Sequence, residues 1–353
     1  MGIVRTALLL FLCASSWAQY PPSIEGVALP KPDVGFGLFY TPARFANETL
    51  YLAAMRDKGL NTVAPQCRPL ANQPSQGAAG DLARELNNAA LCGLMDTRFP
   101  VVCYSVGPAD VVAAKALRNP RVAWPELVVQ SIDEPNATQE ATLKQYHEEA
   151  HKAGLRIGTA VAGYVCTGYT EALPWCEPKN VGHKVPSMGR YLDLWVVLVG
   201  TLSEDVYDLA KELGAQVGSY LAYPSSPILD RWTFGLWAWR AQTKINLAWA
   251  AINPQTGWDY SRIQEVSPWQ FNPSGMDGLA EGVLDYRVLQ AVRDLHSEPG
   301  RKWLKAVEAQ TTLGWWPRGY VAKNQDKEAP TVDIPRVRTE GLRLVAETRR
   351  LGR

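Results

Sequence analysis

The feature that most constrains this sequence is an alternation of short, nearly continuous apolar runs with segments of helical periodicity. Strands that are apolar on both faces are typical of parallel sheets covered by helices. Eight such strand and helix units in about 260 residues predict a (β/α)8 TIM barrel, an α/β fold. An open doubly wound sheet is the alternative, but no glycine-rich phosphate loop follows the first strand. The predicted strands span 34–42, 61–65, 100–106, 126–135, 155–162, 192–200, 215–223 and 244–252.

Helices are predicted between these strands and after the last one. The region after residue 300 is rich in Arg and Lys and poorly periodic, apart from a short helix near 338–350. We therefore expect three parts: a signal peptide over 1–18, a barrel over 19–300 and a C-terminal extension over 301–353. The other predicted helices span about 47–58, 79–95, 109–117, 138–153, 203–213, 231–241 and 280–295.

The first eighteen residues have the features of a secretory signal. Arg5 precedes an apolar run over 7–14, and Ser16 and Ala18 occupy the small-residue positions before a cleavage site. This run is too short to span a bilayer stably, and no later run is long and apolar enough to do so. We therefore expect a secreted or periplasmic protein with no membrane span in the mature chain.

Charge argues against nucleic acid as a partner. Arg5 is the only charged residue of the predicted signal, so the remaining chain carries 35 basic and 35 acidic residues. Such a balance predicts no basic surface for nucleic acid or an anionic membrane. The 13 Trp and 14 Tyr outnumber the 7 Phe, and their flat apolar faces with polar tips suit wet ligand surfaces as well as cores.

Export makes disulfide bonds possible among five cysteines. Cys166 and Cys176 bracket a short loop and are expected to pair, and two of Cys67, Cys92 and Cys103 could form a second bridge. The cysteine spacing matches no zinc-site pattern. Histidines four residues apart at 147 and 151 share a helix face, but their polar neighbours indicate a solvated surface. We therefore expect neither a metal nor a cofactor.

The stretch VVQSIDEPNAT, residues 128–138, holds the most informative pair of residues. Asp133 and Glu134 lie at the end of the fourth predicted strand, directly after its buried run 128–132. Adjacent carboxylates raise each other's pKa, which is unfavourable for a scaffold and useful for an acid catalyst. In a TIM barrel, chemistry gathers at the carboxyl ends of the strands. The alternative is that the two acids complement the dipole of the next helix.

A retaining glycosidase of the usual kind needs a second carboxylate about 5 Å from the acid. That group is commonly on strand seven of such barrels, but here the strand ends in SYLAYPSSP, without an acid. Either a distant carboxylate acts, with Glu204, Asp205 and Asp259 as candidates, or the substrate supplies its own nucleophile. In substrate-assisted hydrolysis a 2-acetamido oxygen attacks the anomeric carbon, one carboxylate orients the amide and its neighbour protonates the leaving oxygen.

Aromatic residues near the predicted strand ends are candidates for binding a sugar. Aromatic faces stack on sugar rings, and phenol groups hydrogen-bond hydroxyls. Tyr220 or Tyr223 could also hold the acetamido oxygen. At least one of Trp237, Trp239 and Trp249 is expected in the cleft, with the others in the core. The full set of predicted substrate-binding residues is Tyr40, Tyr104, Tyr220, Tyr223, Trp237, Trp239 and Trp249.

Three stretches resemble the catalytic barrel of glycoside hydrolase family 123, which includes β-N-acetylgalactosaminidases. They are SIDEP at 131–135, GLWAWRAQTKINLAWAAINP at 235–254 and GLAEGVLDYRVLQAVRDL at 278–295, and the EGxxDY element of the last is the most specific. The resemblance implies that Asp133 orients the acetamide and that Glu134 is the general acid. The family's N-terminal β-sandwich is not expected here, and the helix from Glu281 to Leu295 is expected to be structural.

The sequence thus predicts a secreted glycoside hydrolase that acts on a β-linked N-acetylhexosamine. Two alternatives stay open. One is a non-catalytic barrel that binds carbohydrate, and the other is a glycosidase with two separate carboxylates that acts on another sugar.

Overall fold

The structure of the chain is a computed structural model. It describes residues 22–40, 48–69, 73–133, 135, 139–161, 189–199, 202, 204–221, 227–249, 276–311, 313 and 332–351.

Eight parallel strands form a nearly closed TIM barrel, so the predicted fold is confirmed. Hydrogen-bonded ladders run in the order β2–β1–β8–β7–β6–β5–β4–β3, and β2 and β3 meet at the seam. Each strand is shorter than predicted by one or more residues at its ends. The strands are β1 Gly35–Tyr40, β2 Thr62–Pro65, β3 Val101–Tyr104, β4 Leu127–Gln130, β5 Arg156–Val161, β6 Leu194–Leu198, β7 Gln216–Leu221 and β8 Ile245–Ala248.

Helices surround the strands and continue after the last one. The sixth, α6, covers 227–241 and contains a π-helical turn at Thr233–Trp237 between Pro227–Trp232 and Ala238–Ala241. The other helices are α1 Glu48–Asp57, α2 Gly77–Leu91, α3 Pro108–Ala116, α4 Glu140–Lys152, α5 Glu204–Glu212, α7 Asp277–Asp294, α8 Glu298–Glu308 and α9 Ile334–Leu351.

Side chains alternate along the strands between the barrel interior and the layer beneath the helices. In β4, Val128 lies in the inner cluster and Val129 in the outer one. Gly37 and Gly158 leave no room for a Cβ, which would lie 2.6 Å and 2.8 Å from the carbonyl oxygens of Thr62 and Leu194. Close approach of neighbouring strands therefore requires glycine there. The inner cluster comprises Phe39, Ala64, Phe99, Val102, Val128, Ala160, Leu194, Val196, Leu198, Tyr220, Ile245 and Leu247.

Helix α8 was not anticipated. The Ser297 hydroxyl caps it by accepting a hydrogen bond from the Gly300 N–H at 3.1 Å, and a proline occupies its first turn. The helix runs across residue 300, where the sequence places the end of the barrel. The division into barrel and extension stays a prediction.

The EGxxDY element belongs to the packing of α7, as expected. Asp285 pairs with Arg231 of α6 at 2.7 Å and with Arg338 of α9 at 2.5 Å. A Cβ on Gly282 would lie 2.6 Å from the carbonyl oxygen of Arg231, so glycine lets α6 and α7 touch. The Tyr286 phenol donates to Asp33 at 2.6 Å. These contacts tie α7 to both neighbouring helices and to the segment before β1.

Two expectations about cysteines have different outcomes. A bridge among Cys67, Cys92 and Cys103 was predicted as possible, but no disulfide joins any two of them. Each sulfur contacts a backbone carbonyl instead of another sulfur, on Pro65, Thr49 and Val101 respectively. The expected partners Cys166 and Cys176 lie outside the described residues, as does the predicted signal peptide. No helix in the described part of the chain is long and apolar enough to cross a membrane.

Candidate functional site

Asp133 lies just beyond the carboxyl end of β4, at the mouth of the barrel, and its side chain is exposed. Its Oδ2 accepts a hydrogen bond from the Tyr104 phenol at 2.7 Å, and its Oδ1 accepts one from the Gln130 amide at 2.9 Å. Tyr104 and Gln130 are the last residues of β3 and β4 and are paired in register. These two donors, one on each oxygen, fix the orientation of the carboxylate.

The chain between β4 and Asp133 is held on both sides. The Ser131 hydroxyl donates to the Val106 carbonyl at 3.0 Å, which ties the segment to the exit of β3. The Thr159 hydroxyl of β5 donates to the Ile132 carbonyl at 2.6 Å. Asp133 therefore lies on backbone fixed by both neighbouring strands, an arrangement suited to a positioned functional group.

Three aromatic rings stand beside this carboxylate. Trp249, which follows β8, lies 5.1 Å from Phe39 and 5.6 Å from Tyr104 between ring centroids. Phe39 lies 5.9 Å from Tyr104 in an edge-to-face arrangement. Trp249 and Tyr104 are half-buried, whereas Phe39 is buried beneath them. The mouth thus combines an exposed carboxylate with partly accessible aromatic surface, as in sites that bind sugars.

Two residues at the strand exits have left-handed backbone. Cys67, after β2, has φ 54°, and Ser105, after β3, has φ 60°. Non-glycine residues in this region are uncommon and store strain, which proteins retain mainly at functional sites. Both lie at the end of the barrel that carries Asp133.

Glu85 of α2 holds the strained turn at Cys67. Its carboxylate accepts hydrogen bonds from the Cys67 N–H at 3.2 Å and from the Arg68 N–H at 2.9 Å, and Arg84 lies 3.3 Å away. Burial raises the pKa of Glu85 well above its usual range, and the charge of Glu48 raises it further. Burial also raises the pKa of the Cys67 thiol, with Glu85 as the next cause, so Cys67 stays protonated.

The predicted site residues do not all lie together. Asp133, Tyr104 and Trp249 meet at the mouth. Tyr220 points into the barrel and is buried with Leu198 in the inner cluster. Glu134, Tyr223 and the side chain of Tyr40 lie outside what the structure describes.

Trp237 and Trp239, the two tryptophans of α6 that were predicted to bind substrate, lie elsewhere. Trp237 is completely buried beneath the helical layer, so its indole offers no face to a ligand in this arrangement. Trp239 lines a cavity of about 690 Å³ together with Gln216 and Lys244, which stand at the amino ends of β7 and β8. Trp239 therefore lies at the end of the barrel opposite Asp133.

The alternative carboxylates do not join Asp133 in the described part of the chain. Glu204 pairs with Arg240 and so links α5 to α6. Asp205 has no described side chain, and Asp259 lies outside the described residues. Asp133 is exposed at the mouth and has the Tyr104 phenol and the Gln130 amide as hydrogen-bond donors, whereas Glu85, which also lies at this end of the barrel, is buried.

Sequence reasoning missed Gln130 and Phe39. Gln130 is the one polar residue of β4 and is two positions after Val128, so strand alternation turns it toward the interior. Phe39 likewise shares a strand face with Gly37. Gln130 could have been found from the sequence, because it is a polar residue that ends an apolar strand on the face that points into the barrel.

Known proteins resemble this chain in fold. No family model matches it, and no curated protein matches it. A β-mannanase from Streptomyces thermolilacinus, solved with mannohexaose, has a TM-score of 0.44 at 14% identity, over 71% of this chain and 89% of its own. A β-mannanase from Thermomonospora fusca has a TM-score of 0.40 at 12% identity, over 70% and 91%. Tryptophan synthase from M. tuberculosis has a TM-score of 0.36 at 11% identity, over 62% and 82%. Likeness this distant supports no conclusion about the activity or substrate of this chain.

Proposed function

We propose that this protein is a secreted glycoside hydrolase that removes a β-linked N-acetylhexosamine, of the N-acetylgalactosamine type, by substrate-assisted catalysis. One observation carries the proposal: the Asp133 carboxylate is held by Tyr104 and Gln130 at the barrel mouth, next to the partly exposed indole of Trp249. The resemblance of SIDEP and EGxxDY to glycoside hydrolase family 123 supports the same assignment.

In the proposed first step, the acetamido carbonyl oxygen of the substrate attacks its own anomeric carbon. The bond to the leaving oxygen breaks, and that oxygen takes the proton of Glu134. Asp133 accepts a hydrogen bond from the acetamido N–H and stabilises the positive charge of the oxazolinium ion. Electrostatic stabilisation of this kind is commonly the largest contribution to catalysis.

In the second step, Glu134 takes a proton from water, and the resulting hydroxide attacks the anomeric carbon and opens the oxazoline ring. The sugar leaves with its original β configuration, because two displacements occur at one carbon. Trp249 supplies a face for the sugar ring. Tyr104 and Gln130 keep the Asp133 carboxylate directed at the acetamide.

The test is a panel of 4-nitrophenyl β-glycosides of N-acetylgalactosamine, N-acetylglucosamine, galactose and glucose, with an N-acetylhexosamine thiazoline as inhibitor. We expect hydrolysis of the acetamido sugars alone and inhibition by the thiazoline, which mimics the cyclised intermediate. Hydrolysis of galactose or glucose would instead favour a second protein carboxylate. Binding of the sugars without hydrolysis of any glycoside would favour a non-catalytic carbohydrate-binding barrel.

A further inference from the structure

We infer that His147, His151 and Asp193 form a binding site for a divalent metal ion of the zinc type. Their ligand atoms all lie within 4.8 Å of one another. The two histidines are one turn apart near the end of α4, with ring centroids 3.9 Å apart. Asp193 directly precedes β6. The site therefore lies at the amino end of the barrel, away from Asp133, and is independent of the proposed hydrolase function.

The hydrogen bond that His147 makes through Nδ1 leaves its Nε2 available for a metal. Its Nδ1 lies 3.0 Å from the Tyr191 carbonyl oxygen, which can only accept a hydrogen bond. Nδ1 therefore carries a proton, and in the neutral ring Nε2 has the lone pair. Metal-binding histidines almost always donate their second ring N–H to a carbonyl or carboxylate, which fixes the ring orientation.

The other two ligands are already in contact. His151 Nε2 lies 2.9 Å from Oδ2 and 3.2 Å from Oδ1 of Asp193. Oδ2 also accepts a hydrogen bond from the Ile157 N–H at 2.8 Å, which anchors the carboxylate to β5. Oδ1 has no such backbone donor among the described contacts. A metal between the two imidazoles and Oδ1 would replace the direct contact of His151 with Asp193.

The donor set suits a zinc-type ion. Two imidazole nitrogens and one carboxylate oxygen are a common ligand set for Zn²⁺, with water in the fourth position. Zinc bonds of about 2.0–2.1 Å place the ligand atoms of a tetrahedral site about 3.3 Å apart. Because the three ligand atoms here lie up to 4.8 Å apart, metal binding requires side-chain movements of about 1 Å. His151 is about half exposed, which gives the ion access from solvent.

The order HEEAH at 147–151 matches the helical HExxH pattern, in which both histidines bind zinc and the glutamate is a general base. Here Glu148 is largely exposed and lies 3.8 Å from Lys144. The amino end of a TIM barrel is where residues act on stability. We therefore assign the metal a structural role, in which it joins α4 to the turn at 189–193 that precedes β6.

The test is titration of the untagged full chain, first stripped with chelator, with Co²⁺ and then Zn²⁺. We expect one saturable Co²⁺ per chain with the visible absorption of a four-coordinate site, displacement by Zn²⁺, and a higher Tm in the presence of Zn²⁺. His151→Gln and His147→Gln should each weaken Co²⁺ binding by about 100-fold or more. Loss of a residue that only hydrogen-bonds a ligand typically weakens metal affinity by about 10-fold to 100-fold, so the larger loss identifies a direct ligand. Asp193→Asn should weaken Co²⁺ binding similarly.

The matched control is His296→Asn, which removes an exposed imidazole elsewhere and keeps a residue type that tolerates the positive φ at this position. It should bind Co²⁺ like the wild type. Asp193 also accepts a hydrogen bond from the Ile157 N–H, so Asp193→Asn could disturb the fold. Its metal affinity is interpreted only if its circular dichroism spectrum matches the wild type, and otherwise the result for His151→Gln is used. Absence of stoichiometric binding to the wild type, or equal loss in the control, would overturn the proposal.

Discussion

The phenol oxygen of Tyr104 lies 2.7 Å from Oδ2 of Asp133 and so joins the ends of β3 and β4 at the barrel mouth. The same tyrosine ring lies 5.6 Å from Trp249, which follows β8. One side chain therefore positions the carboxylate and forms part of the adjacent aromatic wall. Removing its hydroxyl separates these two roles.

Tyr104→Phe should keep the aromatic wall and lose the donor to Asp133. A hydrogen bond to a charged group contributes about 1.5–3 kcal/mol, so kcat should fall by about 10-fold to 100-fold with KM nearly unchanged. Steady-state kinetics on the best aryl glycoside measure this split. Tyr146→Phe, on α4 in the outer layer, is the matched control and should leave both constants unchanged. A changed KM with unchanged kcat would assign Tyr104 to sugar binding instead.

Trp249→Ala should act mainly on binding, because its indole is half-buried beside Asp133. We expect KM to rise about 10-fold, equivalent to about 1.4 kcal/mol of lost aromatic contact, while Trp249→Phe recovers part of the affinity. Isothermal titration with the reaction product provides an independent measurement. Unchanged affinity in the alanine variant would remove Trp249 from the site.

Trp237→Ala is the contrasting variant in the same region of sequence. Because Trp237 is completely buried, its truncation should lower the free energy of unfolding by about 3–5 kcal/mol and leave KM of the folded fraction unchanged. Urea denaturation followed by circular dichroism measures the first effect. A raised KM without loss of stability would contradict the buried placement.

Asp285→Asn tests the helix junction formed by the EGxxDY element. Asp285 is 2% exposed and forms ion pairs with both Arg231 and Arg338, so the variant should lose about 3–5 kcal/mol of stability. Asp294→Asn is the control on the same helix, because its exposed pair with Arg293 contributes about 0–1 kcal/mol. Equal losses of stability in the two variants would show that the buried ion pairs of Asp285 contribute no more than the exposed pair of Asp294.

Glu85 predicts a pH dependence of stability. Because its pKa is raised in the folded protein, the folded state binds a proton that the unfolded state has released. Its contribution is therefore fully present below the unfolded pKa of about 4.3 and is lost as pH rises toward the folded pKa. Relative to Glu85→Gln, the wild type should lose stability as pH rises from about 4.3.

Thermal melts of both proteins across pH measure this difference. Glu149→Gln, which replaces an exposed glutamate of α4, is the control and should follow the wild type. The opposite result would be a wild type that becomes more stable than Glu85→Gln as pH rises. It would mean that Arg84 and the two backbone N–H groups lower the pKa of Glu85 by more than burial raises it.

Sequence reasoning located the strands because apolar runs buried on both faces have no other common explanation than a covered parallel sheet. It also located Asp133 and Tyr104, since each follows or ends such a run. It could not pair them, because that contact depends on the register that places Tyr104 opposite Gln130. Likewise, the spacing of His147 and His151 was visible in the sequence, whereas Asp193 joins them only through the arrangement of α4 against β6.

Helix α8 was missed for a local reason. The segment after residue 300 is rich in Arg and Lys and was interpreted as a poorly periodic tail, although Pro is favoured at the start of a helix and Ser297 is a good cap. Trp239 shows a different limit. Its distance in sequence from β8 is short, but α6 runs back toward the amino end of the barrel and carries the indole away from the mouth.

The acid pair gives the most specific test of the proposed function, because the two roles predict different failures. Glu134→Gln removes the proton donor, so activity should fall strongly on glycosides with poor leaving groups and little on activated aryl glycosides. Asp133→Asn removes the charge that stabilises the oxazolinium ion, so activity should fall by about 100-fold or more whatever the leaving group. The thiazoline should inhibit the wild type and bind the Asp133 variant poorly. Full activity of both variants on a natural-type glycoside would mean that the pair is structural and that the active site lies elsewhere.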